Sequence, residues 1–394
     1  MIQTELTDGR LFDTDAYCHS FDAVVTAVYA EQNTCRLVLD RTAFFPEGGG
    51  QLSDIGTLSG YAVTDVQETV RGIEHTVNAP SDAFRVGDTV HGEVDWATRF
   101  SAMQCHSAEH ILSGIIHQLY GYDNVGFHLG REEMTVDTSG VLTKEQLDRV
   151  EDLANAAVYR QIPITVTYPS REELATLTYR SKIALQGRVR IVTIGDVDRC
   201  ACCAPHVRST GEIGLIRIVF AERHRGGMRL YVKAGERAAR YVRAVSDELA
   251  RISTMLSAHT TETADAVSRL LTELKDTTLA YKAVLHEQMR RRAEELCVED
   301  AHPVERFSPD MPVECVRTFL NTAVERVRGI AVAILSKADG FTYLLASRTV
   351  DLKACIGDIN RTLNGRGGGS SAMMQGTFLC SEDAIRSYFK SLVL

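Results

Sequence analysis

Two pairs of side chains in this sequence have the residue types and the spacing of a metal site. His106 and His110 lie four positions apart in a segment with helical character, so both imidazoles leave the same face of a helix. Further along the chain, Cys202 and His206 repeat this spacing. Three imidazoles and one thiolate form a ligand set that suits Zn²⁺. The sequence therefore predicts that these four residues bind one zinc ion.

Either pair alone is a weak signal, since histidines on an apolar helix are more often packed in a core or exposed. Cys200 and Cys203 also compete with Cys202 as the thiolate ligand. The HExxH helix of metalloproteases is absent, because Glu109 directly precedes the second histidine. We expect Glu109 to point to another face of the helix from the ligands, so the sequence assigns no general base.

A glycine-rich segment follows Pro46. Gly48, Gly49 and Gly50 stand directly before Gln51. Glycine lets backbone N–H groups approach a ligand closely and lets the chain adopt positive φ. On glycine content alone, a mobile turn is the simpler interpretation of this segment.

Composition bounds the class of protein that carries these residues. The chain has 394 residues, 44% of them hydrophobic and 24% charged, with a net charge of −9. These values predict a soluble globular protein of two to four domains and exclude a generally basic nucleic-acid coat. No apolar run predicts a transmembrane helix, and the first residues lack a secretory signal. Ten scattered cysteines favour reduced thiols in the cytoplasm.

Periodicity divides the chain into four regions, and the predicted fold class is α+β multidomain. In residues 1–95, short alternating strands with glycine and aspartate turns predict a small β-barrel, and in residues 96–234, mixed helices and strands predict an α+β domain. In residues 235–300, apolar heptads broken by a polar turn predict an antiparallel helical hairpin arm. The last region, residues 301–394, is predicted to be α/β.

Four sequence motifs together resemble the editing domain of alanyl-tRNA synthetases and of free-standing alanyl-tRNA editing proteins. They are the HxxxH pair, the CxxxH pair followed by valine, the TGEIG run at 210–214, and the FxPxGGGQ segment at 44–51. The resemblance implies that Gly48, Gly49, Gly50 and Gln51 line the substrate pocket. It also implies hydrolysis of the ester that joins serine or glycine to tRNA(Ala), at a site containing Zn²⁺.

A second glycine-rich segment lies near the end of the chain. Glycine-rich loops beside an arginine often hold phosphate through backbone N–H groups and one cation. The segment resembles the signature of the DHHA1 domain, which implies tRNA binding by Arg366, Gly367, Gly368 and Gly369. The DHH motif is absent, its nearest string being Asp300-Ala301-His302, so a DHH-type phosphodiesterase is disfavoured.

The sequence also departs from the family pattern. Pro205 stands where the synthetases have threonine, which removes a hydroxyl and a backbone donor. In the hairpin after the HxxxH helix, His128 is the candidate for binding a seryl hydroxyl, and a packed surface histidine is an equal alternative. Because the chain starts at the barrel, we expect no aminoacylation domain and editing in trans.

The arm and the DHHA1-like region are candidates for homodimer formation or tRNA contact, and a simple spacer is the alternative for the arm. The alternative function is that of a non-catalytic tRNA-binding protein with a structural zinc, since four protein ligands normally mark a structural site.

Overall fold

The computed structural model describes residues 9–31, 33–181, 189–297 and 300–393. The chain divides into two compact units, residues 1–250 and 251–394. The first contains a closed barrel and two further sheets, and the second contains one mixed sheet with helices. The α+β multidomain prediction is thus confirmed, whereas the four-region division stays a prediction.

The N-terminal barrel has six antiparallel strands in the order β1-β2-β5-β4-β3-β6, and β6 pairs with β1 to close it. Side chains alternate between the barrel interior and solvent along β1 and β6, as the period of a strand requires. A short helix α1 (Leu11–Thr14) precedes the strands, which are β1 (Ser20–Glu31), β2 (Thr34–Leu39), β3 (Gly56–Leu58), β4 (Tyr61–Thr69), β5 (Gly72–Asn78) and β6 (Thr89–Val94).

The predicted HxxxH helix is α2 (Trp96–Tyr120), the central helix of the first unit. Its N-cap Asp95 accepts a hydrogen bond from the backbone N–H of Thr98, and Gly121 ends it in the left-handed conformation. Residues 103–116 are buried without interruption. The helix therefore passes through the interior, and side chains on all of its faces contact other elements.

The rest of the first unit packs around α2. A four-stranded sheet has the order β12-β13-β8-β7, and a three-stranded sheet has the order β11-β10-β9. A capping box formed by Thr143 and Gln146, which the local sequence encodes, starts helix α3. The elements are β7 (Asn124–Leu129), β8 (Met134–Thr138), α3 (Lys144–Tyr159), β9 (Ile164–Thr167), α4 (Arg171–Thr176), β10 (Ile191–Ile194), β11 (Asp198–Ala201), β12 (Ile216–His224) and β13 (Gly227–Ala234).

Two long helices follow, α5 (Gly235–Leu256) and α6 (Thr263–Glu294), and they flank the predicted polar break. The division between the two units falls within α5. Their antiparallel arrangement as an arm stays a prediction. No helix of the described residues combines the length and the apolar character that crossing a membrane requires.

The second unit is built on a five-stranded sheet of order β14-β15-β16-β18-β17, in which only the β14–β15 pair is parallel. Besides α6, its elements are β14 (Val304–Phe307), α7 (Val313–Ala323), β15 (Ala331–Lys337), β16 (Gly340–Ala346), α8 (Leu352–Thr362), β17 (Gly365–Gly369), β18 (Met373–Phe378) and α9 (Glu382–Ser391).

The C-terminal glycine-rich segment forms strand β17 at the edge of this sheet, so its interpretation as a loop was wrong. Gly367 pairs with Gly376 of β18, and the ring of Tyr343 lies across both. A Cβ atom at Gly367 would come within 2.4 Å of the Tyr343 hydroxyl, and one at Gly376 within 2.5 Å of the same hydroxyl. These glycines therefore make room for a buried aromatic ring.

Candidate metal centre

The four predicted ligands meet at one point inside the first unit. Helix α2 presents His106 and His110, and the segment after β11 brings Cys202 and His206 to them, with all four ligand atoms within 4.8 Å of one another. Nε2 of His106 and Nε2 of His206 each lie 3.4 Å from Sγ of Cys202. The three histidines are buried. The spacing of His106 and His110 predicted that they share a face of α2. Cys202 and His206 lie in irregular chain after β11, and the fold brings this second pair to the first.

Each imidazole has a second polar partner at its other ring nitrogen. Metal-binding histidines almost always donate this second N–H to an acceptor, which fixes the ring orientation and the tautomer. Here all three Nδ1 atoms have such a partner, and these partners are Gln51 Oε1 for His106 at 3.0 Å, Asp198 Oδ2 for His110 at 2.9 Å, and Ser107 Oγ for His206 at 2.9 Å.

The hydrogen-bond pattern fits a metal ion. With a proton on each Nδ1, the three Nε2 lone pairs are free to coordinate a metal. The Ser107 hydroxyl oxygen also accepts from the backbone N–H of Val207, at 3.3 Å, next to His206. A donor set of three nitrogens and one sulfur suits Zn²⁺.

The electrostatic environment distinguishes the three cysteines. Burial raises the pKa of Cys202, but the imidazoles of His106 and His110 lower it more, so the net pKa lies well below that of an ordinary thiol. Burial raises the pKa of Cys200, and it raises that of Cys203 to about 11. Among these three, the surroundings of Cys202 alone favour the thiolate that coordinates a metal.

His206 is buried as a neutral imidazole. Burial lowers the pKa of His206 to about 3. For His110, burial also lowers the pKa, but Cys202 and Asp198 raise it more, and the net pKa is well above the usual value. Protons and a metal ion compete for such a cluster, so metal affinity should fall as pH falls.

A cavity of about 430 Å³ opens beside the predicted metal ligands. Glycine backbone, an aromatic ring and two charged side chains line it, and this size is within the range of small-molecule sites. Besides His106, His110 and Cys202, its lining includes Gly49, Gly50, Glu109, Phe127, Arg190 and Cys203.

The glycine-rich segment after Pro46, here called the glycine loop (residues 46–54), forms one wall of this cavity. Gly49 and Gly50 have φ values of 62° and 82°, in the left-handed region that favours glycine. A Cβ at Gly50 would lie 2.4 Å from the carbonyl oxygen of Phe127. The Gly50 carbonyl accepts a hydrogen bond of 2.7 Å from the N–H of Leu129, so the loop is fastened to strand β7. The glycines therefore allow the loop to lie directly on the hairpin.

Not every predicted pocket residue lines the cavity. Gly48 and Gln51 are outside the lining, and Gln51 is buried against His106. His128 is exposed on β7, while its neighbour Phe127 lines the cavity, because successive strand residues face opposite ways. Arg366 to Gly369 belong to strand β17 of the second unit.

Glu109 does face the cavity, and the expectation that it points elsewhere was wrong. It lies three positions after His106, and residues three apart share a helix face, so this spacing was the signal that could have found it. Its Oε1 accepts hydrogen bonds from Ser113 and Asn124, and its Oε2 lies 3.9 Å from Nε2 of His110. The carboxylate is thus fixed beside the predicted metal ligands.

Arg190 also acts at the site, and the sequence did not single it out. Its Nη1 donates to the carbonyl oxygens of Cys202 and Ala204, both at 2.9 Å. These bonds hold the backbone on both sides of Cys203 and so fix the position of the Cys202 thiolate.

Comparisons with known proteins find similarity to aminoacyl-tRNA synthetases in two parts of the first unit. A family model described as tRNA synthetases class II (A) matches residues 17–98, which include the barrel. A model described as threonyl and alanyl tRNA synthetase second additional domain matches residues 189–233, which include Cys202 and His206.

Individual relatives are more specific. The alanyl-tRNA editing protein AlaX-L of Pyrococcus horikoshii is 31% identical over 236 residues, which are 58% of this chain and 58% of that protein. The alanine–tRNA ligase of Thermococcus kodakarensis is 30% identical over 388 residues, 93% of this chain and 41% of the ligase. The chain thus spans less than two thirds of either relative. It resembles alanyl-tRNA editing proteins and the matching part of alanine–tRNA ligases.

One solved structure matches a smaller part of the chain. The C-Ala domain from Aquifex aeolicus alanyl-tRNA synthetase is 18% identical, covers 22% of this chain and 86% of that domain, and has a TM-score of 0.20. This value is too low to support an assignment of fold.

Proposed function

We propose that this protein is an aminoacyl-tRNA hydrolase that deacylates tRNA(Ala) mischarged with serine or glycine. The observation that carries this proposal is the convergence of His106, His110, Cys202 and His206 beside a glycine-walled cavity. The similarity to the alanyl-tRNA editing protein AlaX-L supports the same reaction class.

In this proposal Zn²⁺ is held by the three Nε2 atoms and the Cys202 thiolate. When bound, zinc supplies a Lewis acid that polarises the ester carbonyl or lowers the pKa of a water molecule. Gly49 and Gly50 leave room for the acyl group against Phe127, and the buried carboxylate of Glu109 faces the same space. A pocket that selects alanine for attachment to tRNA rejects the added hydroxyl of serine only weakly. A second site that binds this hydroxyl can then select the seryl ester for hydrolysis.

We further propose that the second unit contacts the rest of the tRNA. Arg366 is exposed on the edge strand β17, where its guanidinium can reach a phosphate beside the backbone of Gly367 to Gly369. Exposed apolar side chains on α6, among them Leu271, Leu274 and Tyr281, support homodimer formation through this helix or the C-terminal unit.

The test is deacylation of Ser-, Gly- and Ala-tRNA(Ala), each with and without a chelator. We expect hydrolysis of the seryl or glycyl ester, little hydrolysis of the alanyl ester, and loss of activity with the chelator. His106→Ala should lose bound zinc and deacylation together. The matched control is His117→Ala, an exposed histidine on the same helix that pairs with Asp123, and it should keep both.

A non-catalytic tRNA-binding protein is the second candidate, because four protein ligands can fill the zinc coordination shell as in structural sites. Binding of mischarged tRNA without ester cleavage, by zinc-loaded protein, would favour this candidate over the hydrolase.

A further inference from the structure

The glycine loop is attached to helix α2 at two points. At one end of the loop, Asp54 forms a buried ion pair with Arg99, with distances of 3.0 and 2.9 Å from Nε to the two carboxylate oxygens. Nearer the glycines, Gln51 Oε1 lies 3.0 Å from Nδ1 of His106. Only the second attachment involves a predicted metal ligand.

The amide of Gln51 serves His106 and no other described residue. Gln51 is 2% exposed, and its Nε2 has no hydrogen-bond partner among the described residues. A buried donor without a partner costs about 1–3 kcal/mol. The hydrogen bond of this side chain is therefore the one between its amide oxygen and the His106 imidazole, and its amide nitrogen forms none with the described residues.

A metal ion on Nε2 of His106 requires the proton to be on Nδ1, and this proton requires an acceptor. Gln51 supplies the acceptor from the loop that carries Gly49 and Gly50. Any preference of the metal for one orientation of the His106 ring is therefore also a preference for one position of the loop.

We propose that Gln51 is a positioning residue that couples occupancy of the metal site to the observed position of the glycine loop, residues 46–54. This inference rests on the metal site of the proposed function and changes the role that the resemblance implied for Gln51, from substrate contact to ligand support. By thermodynamic linkage, metal binding stabilises this loop position by the same factor by which the loop position tightens metal binding.

The experiment measures zinc affinity by competition with a chromophoric chelator, and backbone amide exchange of residues 46–51 with and without zinc. Gln51→Met keeps the size of the side chain and removes the acceptor, whereas Gln51→Glu keeps an acceptor oxygen and removes the unpaired donor. Ser53→Ala is the matched control, because Ser53 lies in the same loop but bonds Asp65 on the barrel.

We expect zinc to slow amide exchange at 46–51 in the wild type. Gln51→Met should weaken zinc binding by about 10- to 100-fold, the usual effect of removing an acceptor behind a histidine ligand, and should abolish the zinc-dependent protection of the loop. Gln51→Glu and Ser53→Ala should retain both. Zinc affinity within about twofold of wild type in Gln51→Met, with loop protection unchanged, would overturn the coupling.

A measurement on the wild type covers the case in which Gln51→Met fails to fold. Nitrogen-15 NMR of the zinc-loaded imidazoles should find the proton of His106 on Nδ1, and coordination of zinc through Nδ1 would overturn the proposal. Wild-type protein that shows the coupling but does not cleave mischarged tRNA would refute the hydrolase and leave this inference standing. If the wild type deacylates mischarged tRNA and Gln51→Met binds zinc as tightly as the wild type, the hydrolase stands and this inference is refuted.

Discussion

Asp198 connects the predicted metal ligand His110 to Arg180. Its carboxylate accepts a hydrogen bond from Nδ1 of His110 at 2.9 Å and two from the Arg180 guanidinium at 2.7 and 2.9 Å. Burial raises the pKa of Asp198, but these two partners lower it more, and the net shift is downward. Strand β11, which leads to Cys202, thus begins with Asp198, the acceptor that orients the predicted ligand His110 on α2.

Removing this carboxylate should destabilise the protein even without metal. In Asp198→Ala, the largely buried Arg180 would lose its counter-ion, and breaking a buried pair in this way typically costs about 3–5 kcal/mol. The free energy of unfolding of the zinc-free variant, measured by urea denaturation, checks this value. Asp196→Ala is the control, because its pair with Arg160 is exposed and worth at most about 1 kcal/mol. Equal losses in both variants would contradict the assignment.

A methyl group at Gly50 should displace the glycine loop. Gly50→Ala adds strain at positive φ and a Cβ that contacts the Phe127 carbonyl, whereas Gly60→Ala has a similar φ of 86° with no atom within 4 Å of the new Cβ. We expect about 1–3 kcal/mol of destabilisation from conformation alone at Gly60, and a larger loss at Gly50. Thermal denaturation checks the stabilities, and deacylation should fall only for Gly50→Ala. Equal stabilities for the two variants would show that the loop does not press on the hairpin.

The barrel should lose stability in mild acid because of His75. Burial lowers the pKa of His75 to about 4, from 6.5 in an exposed histidine. The unfolded chain therefore takes up a proton as pH falls below about 6.5, while the folded protein resists protonation until about 4. The contribution of His75 is complete above pH 6.5 and declines by about 3 kcal/mol as pH falls to 4.

Denaturant unfolding of wild type and His75→Gln at several pH values isolates the contribution of His75 to the free energy of unfolding, since glutamine does not titrate in this range. The stability difference between the two proteins should shrink steadily from pH 7 to pH 4. A difference that is constant over this interval would show that His75 is not buried as a neutral imidazole.

Glu109 should strengthen cation binding from its position beside His110. Glu109→Gln keeps an oxygen acceptor for Ser113 and Asn124 but removes a charge 3.9 Å from Nε2 of His110. Because charges interact strongly at this range in a buried site, we expect zinc affinity to fall by at least about tenfold. Glu145→Gln, at an exposed position of α3, should bind zinc like the wild type. Deacylation at saturating zinc then separates the effect on metal binding from an effect within the cavity.

Local sequence patterns predicted much of the barrel but not all of it. Alternating or β-branched residues in the sequence indicate β1, β2, β4 and β6, whereas no such pattern marks β3 or β5. β3 has only three residues, too few for a period to show. In β5 the buried positions include the polar Glu74 and His75, whose partners are Arg71 and Thr42, so the expected apolar alternation is hidden.

By itself, the sequence determined features that depend on residues one helical turn apart. The shared face of His106 and His110 and the capping box at Thr143 are of this kind, because helix geometry fixes where neighbouring side chains point. Tertiary structure alone decided that Gln51 and Asp198 contact those histidines and that the C-terminal glycines form a strand. These contacts join residues far apart in the chain, and packing, which no local spacing encodes, brings them together.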